Sequence, residues 1–283
     1  MPNGARSFIL TFLGGTTHYT WDARNRLVGI NGYQSNCASL AASFRYDALD
    51  RRIQKTINGR TMQYLYDGND IVQEIENGVV TVHYVRTLNI DEPLARIEAD
   101  GTVRYYLADA LGSIIAMADD TGTIVTQYAY EPFGNTTIIG EVSDNPFQYT
   151  GRENDGTGLY YYRARYYNPE LQRFISEDPI GLKGGDINFY AYVKNRPTML
   201  VDPMGNRPET PGDWLTEINR LKKAGKLCYE CNDIEKHMNP PKSNGMHREC
   251  IKCCVALSKI YEGIINLRDS IRDACLEKLC MPK

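Results

Sequence analysis

The chain has 283 residues, 42% of them hydrophobic, and a formal net charge of −3, enough apolar material for one large core or two small ones. Near-balanced charge excludes a general electrostatic binder of nucleic acid or acidic membranes. No run approaches the roughly 18 apolar residues of a membrane-spanning helix.

Residues 1–17 are expected to be poorly ordered, because the apolar stretch 8–13 is too short and too weakly flanked for a secretory leader. From residue 18 a weak repeat begins. Trp21-Asp22-Ala23 leads to Arg26-Leu27, Tyr46-Asp47-Ala48 to Arg52-Ile53, and Tyr66-Asp67-Gly68 to Asp70-Ile71. Such spacing suits a solenoid of short strands. Hairpin signals lie between the copies at Asn58-Gly59 and Asn77-Gly78, and Met62, Tyr64 and Tyr66 alternate with Thr61, Gln63 and Leu65. This pattern predicts antiparallel strands. Asp100-Gly101 and Thr121-Gly122 continue the rhythm towards residues 130–134, YEPFG.

Residues 147–205 concentrate the unusual features. Tyr160, Tyr162 and Tyr166 set against Arg163 and Arg165 suggest strands with one buried face. Asp-Pro-x-Gly occurs twice, at residues 178–181 and 202–205. Its simplest reading is a type I turn, in which aspartate bonds its own backbone, proline presets the second position and glycine closes the fourth.

The runs GLYYYRARYYNPELQRFISEDPIG (residues 158–181), NFYAYVKNRPTMLVDPMG (residues 188–205) and YEPFG resemble the core of the RHS/YD-repeat family. That family forms the repeat-rich shells of polymorphic toxins and of the C component of insecticidal toxin complexes. The resemblance covers residues 18–205. It implies a mainly β fold, an antiparallel strip over 18–145 forming part of an RHS shell, followed by an RHS-associated core over 146–205. It also implies an aspartyl autoprotease that cuts just beyond the second Asp-Pro-x-Gly. Carried over by position, Asp178 is the first carboxylate and Asp202 lies in the turn before the cut, with Asp186 as an alternative second acid. Arg173 would orient a carboxylate or pair with Glu177, and the scissile bond would join Asn206 to Arg207. Two departures stand out. The family's usual leucine after the second turn is Asn206 here, and Ala108-Asp109-Ala110 replaces histidines before Leu111-Gly112-Ser113.

Residues 206–283 differ in character and are expected to form a variable, cysteine-rich helical tip. They carry 14 Lys/Arg against 11 Asp/Glu and seven of the eight cysteines. That balance is too weak to argue for nucleic acid, and does not exclude it for the tip. Asp213 suits the N-cap of a helix over 214–223, and apolar residues recurring every three or four positions predict a longer helix over 247–279. Cys228-x-x-Cys231 and Cys250-x-x-Cys253 fit a four-thiolate zinc site, while the remaining Cys254, Cys275 and Cys280 favour disulfides; buried thiols are the third reading. No other cofactor is implied.

The resemblance further implies secretion or cell-surface display, a delivery apparatus, a target cell and a cognate immunity protein. The competing reading is a non-enzymatic surface protein whose tyrosine-rich strands contact glycans or other proteins, capped by a disulfide-stapled tail.

Overall fold

The computed structural model describes residues 6–12, 15–34, 36–87 and 89–211. Thirteen strands follow one another in sequence order, each paired antiparallel with the one before. They are β1 (Arg6–Phe12), β2 (Gly15–Trp21), β3 (Leu27–Tyr33), β4 (Ser39–Tyr46), β5 (Arg52–Ile57), β6 (Arg60–Asp67), β7 (Asp70–Glu76), β8 (Val79–Arg86), β9 (Pro93–Glu98), β10 (Val103–Ala108), β11 (Ile114–Ala118), β12 (Ile124–Tyr130) and β13 (Thr136–Gly140). The alternation predicted from sequence is present: β6 buries Met62 and Tyr64 and exposes Gln63 and Leu65.

The start of the chain differs from expectation. Residues 6–12 form β1, in register with β2 from Arg6↔Trp21 to Phe12↔Gly15. An apolar run too short for a leader has the length of an ordinary strand.

The repeat has a physical basis in its turns. Asp22 Oδ1 accepts the N–H groups of Arg24 and Arg26, and Asp47 Oδ1 those of Leu49 and Arg51. Asp109 and Asp119 repeat the arrangement. The fourth residue of each turn adopts positive φ, so it is Asn25, Asp50, Gly112 or Gly122, types that tolerate the left-handed region. The tyrosine before the aspartate reaches back one repeat. Tyr46 Oη donates to the Leu27 carbonyl at 2.6 Å, and Tyr66 Oη to that of Arg52 at 2.8 Å. Arg86 Nε serves the same purpose towards Ile71 at 2.6 Å.

A second sheet contains β14 (Glu153–Asn154), β15 (Tyr160–Tyr162), β16 (Arg165–Asn168) and β17 (Arg173–Phe174). Here the expectation of one buried face fails, because every residue of β15 and β16 is buried. Tyr161 and Tyr166 pack with Trp21, Leu27, Ile30 and Phe44 of the long strip, whereas Tyr160, Tyr162 and Tyr167 pack with Tyr149, Phe174 and Tyr192. Arg52 on β5 fastens the two sheets, pairing with Glu153 at 2.6 Å and with Asp155, all three side chains being at most 4% exposed.

The helical, cysteine-rich module expected over 206–283 falls outside the described residues from 212 onward. Its helices and Cys228, Cys231, Cys250 and Cys253 lie outside them as well. Among the described residues no helix is long and apolar enough to cross a membrane.

Candidate functional site

Both Asp-Pro-x-Gly segments make the turns that their composition predicts. The Gly181 N–H donates to the Asp178 carbonyl at 3.0 Å and the Gly205 N–H to that of Asp202 at 3.1 Å, with φ of 55° and 69° at the two glycines. The carboxylates behave differently. Asp178 Oδ1 accepts the Ile180 N–H inside its own turn. Asp202 Oδ1 reaches beyond its turn and accepts the N–H groups of Asn206 at 2.9 Å and Arg207 at 3.0 Å. The nitrogen of the Asn206–Arg207 peptide is thus bound directly by an acid.

A buried arginine unites the two acids. Arg165 Nη2 lies 3.3 Å from Asp178 Oδ2 and 3.3 Å from Asp202 Oδ2, so the two oxygens are no farther apart than twice that distance. Arg165 Nε donates to the Gly205 carbonyl at 2.6 Å, Nη1 donates to that of Phe189 at 2.9 Å, and the guanidinium lies over the Phe174 ring at 3.6 Å. Asp178 is fixed from the same side, its N–H donating to the Phe189 carbonyl at 3.0 Å. Gly184 shapes the remaining space. A side chain there would run into Asp178 Oδ2 and come within 3.0 Å of the Asn206 carbonyl oxygen, so both atoms face the gap that glycine leaves.

Burial dominates the electrostatics. It pushes the Asp202 carboxyl up to about 6, against the opposing pull of Arg165 and the two N–H donors. Burial likewise lowers Arg165 from its ordinary value, although Asp202 and Asp178 favour its charge. A carboxyl that titrates near neutrality beside a second acid and a peptide bond is an arrangement capable of acid–base chemistry.

A family model described as the teneurin YD-shell matches residues 8–198. The chain belongs to the YD-shell family of RHS/YD-repeat proteins. It is similar to the tRNA3(Ser)-specific nuclease WapA of Bacillus spizizenii, at 37% identity over 202 residues, 68% of this chain and 8% of that protein. It is also similar to the toxin subunit YenC1 of Yersinia entomophaga, at 30% identity over 237 residues, 74% of this chain and 23% of that protein. Among solved structures it resembles TcdB2-TccC3, with a TM-score of 0.55 at 26% identity, covering 69% of this chain and 10% of that one. The chain spans less than a quarter of either of these curated relatives.

Within this YD-shell chain, Asp178, Asp202, Asn206 and Arg207, singled out from sequence, come together. Arg173 does not join them: it is exposed on β17 and its Nε donates to the Leu171 carbonyl. Asp186 is also apart, its Oδ1 accepting the Asn188 N–H in a local turn. Sequence reasoning missed Arg165 because nearness along the chain favoured Arg173. The available signal was an arginine with tyrosines on both sides of it in the run YYYRARYY, residues 160–167. A cavity of about 140 Å³ adjoins Asn206, bounded by Leu49, Tyr66, Tyr161, Arg163 and Met204. Its lining mixes apolar and charged groups. Among the described residues no group of three or more His, Cys, Asp or Glu is placed to hold a metal.

Proposed function

We propose that this chain is the C-terminal part of an RHS-repeat toxin, in which strip and core carry a C-terminal effector and release it by cutting the Asn206–Arg207 bond. The observation that carries the reading is the convergence of Asp178 and Asp202 on one arginine with that peptide between them. The effector would lie in residues 207–283. The relatives' names, a tRNA nuclease and a toxin subunit, support the toxin reading, to which the proposal adds delivery to a target cell through a secretion apparatus and an immunity protein protecting the producer.

The chemistry is hydrolysis. Of the two neighbouring acids Asp202 holds the proton, because burial raises its carboxyl. The ionised partner takes a proton from the attacking water, whose oxygen bonds to the Asn206 carbonyl carbon. As the carbon–nitrogen bond breaks, Asp202, already 3.0 Å from the Arg207 nitrogen, delivers the proton to the leaving amine. Products are a carboxylate on Asn206 and a free amino group on Arg207. Arg165 holds both acids and the Gly205 carbonyl throughout. Because the peptide is tethered and is cut only once, a modest rate suffices.

Expression of the full chain tests the reading. A fragment of about 9 kDa is expected, the share that residues 207–283 have of the 32.1 kDa chain, with Arg207 at its N-terminus, and it disappears in Asp178→Ala. An uncut wild type, or an Asp178→Ala chain that still cuts there, refutes it. Asn206→Leu, which restores the residue that the family usually has after the second turn, is expected to speed cleavage by up to about tenfold.

A further inference from the structure

The tip of the β15–β16 hairpin holds the segment before the proposed bond by three successive contacts. Arg163 Nη1 donates to the Pro203 carbonyl at 2.5 Å, the Ala164 N–H to that of Met204 at 3.3 Å, and Arg165 Nε to that of Gly205 at 2.6 Å. Three consecutive hairpin residues thus bind three consecutive carbonyls. With Asp202 Oδ1 holding the next two N–H groups, residues 203–207 are fixed at every position.

Arg163 differs from the other members of this clamp. Its remaining bonds run to the long strip: to Asp91 Oδ1 and Oδ2 at 2.7 and 3.0 Å, to Asp70 Oδ1 at 3.1 Å, and to the Asn69 carbonyl at 3.3 Å. Asp91 Oδ1 also pairs with Arg152. Arg163 occupies the left-handed region at φ 59° in the two-residue turn between Tyr162 and Arg165. A planar fork that grips a carboxylate with two nitrogens has a fixed direction, and this one leaves Nη1 aimed at the Pro203 carbonyl.

We infer that Arg163 is a positioning residue for the scissile segment, and that through Asp70 and Asp91 it makes self-cleavage conditional on the strip being docked against the hairpin. The inference rests on the proposed self-cleavage and adds a requirement to it. A strip not yet packed at Asn69, Asp70 and Asp91 leaves Arg163 without its anchors, and the Pro203 carbonyl without a fixed donor. A displacement of about 1 Å at the reacting bond is enough to slow a reaction about 100-fold, so an incompletely wound strip would protect its own cargo from early release.

The test uses the full chain and follows the first-order appearance of the C-terminal fragment. Arg163→Gln is expected to cut about 10–100-fold more slowly, Arg163→Lys to recover part of the loss, and Asp70→Asn to show a smaller one. The midpoint of the pH–rate profile should stay where it is in wild type, because Arg163 touches neither Asp178 nor Asp202. Arg173→Ala, an equally drastic change at an exposed arginine, should cut at the wild-type rate. Wild-type cleavage by Arg163→Gln overturns the inference, as does a slowing fully accounted for by a lower folded fraction at the assay temperature. A second measurement does not need cleavage. In the Asp178→Ala background, Arg163→Gln should speed hydrogen exchange at the amides of Gly205, Asn206 and Arg207, and unchanged exchange overturns the inference. If wild type never cuts, self-cleavage fails while this exchange experiment still decides whether Arg163 holds the segment.

Discussion

Gly184 and Asp202 give the sharpest single-residue tests. Gly184 has no positive φ to forbid a side chain, so alanine suits the backbone and only invades the gap between Asp178 Oδ2 and the Asn206 carbonyl. Gly184→Ala is expected to slow fragment release about 100-fold or more with little change in melting temperature; release at the wild-type rate would show that the gap has no role. Asp202 has a carboxyl raised from 3.8 to about 6 by burial. A folded-state value above the unfolded one favours folding at acid pH, and that contribution is lost as pH rises from about 4 to about 6. The loss amounts to at most about 3 kcal/mol. Urea unfolding across this window should show wild type losing stability relative to Asp202→Asn as pH rises. Cleavage should decline above about pH 6, where Asp202 loses the proton it delivers to the leaving amine. The two acids were legible in the sequence because Asp-Pro-x-Gly occurs twice. Arg165 was not, because alternation sets it opposite the face of Tyr166 and so towards solvent, whereas both faces of β16 are covered: Tyr166 packs against the long strip, and Tyr167, on the face of Arg165, against Tyr149, Phe174 and Tyr192.

Among the elements, the joint between β5 and β14 governs stability. Arg52 is fully buried and compensates two buried carboxylates, Glu153 and Asp155. Removing it leaves charge in the interior that Lys55, 3.2 Å from Asp155, balances only in part. Arg52→Ala should therefore cost about 3–5 kcal/mol by chemical denaturation, whereas Arg60→Ala, which breaks an exposed pair with Glu76, should cost under about 1 kcal/mol. Strand positions were readable from alternation and from Asn-Gly turns, since both are local. The Tyr46-to-Leu27 and Tyr66-to-Arg52 bonds were not, because they join neighbouring repeats. Residues 6–12 were misread because a short apolar run carries the same composition in a frayed end and in a strand.

At the scale of the molecule, among the described residues every strand of the long sheet pairs only with its sequence neighbours, and the strands of both sheets lie within residues 6–174. A chain ending at Pro211 should therefore unfold in one cooperative transition of its own. Calorimetry on that truncated protein, set beside the full chain, checks this; absence of a transition would mean that the sheets depend on residues 212–283. The grip of residues 163–165 on the backbone of 203–205 has an enzymological outcome. Its guest is covalently part of its host, so the reaction should be strictly unimolecular, with a half-time indifferent to dilution. On the proposed cut, the severed stump would stay lodged where a visiting polypeptide would need to bind. Diffusible inhibitors of two-aspartate proteases would meet a seat already taken, and each molecule would operate once and then retire.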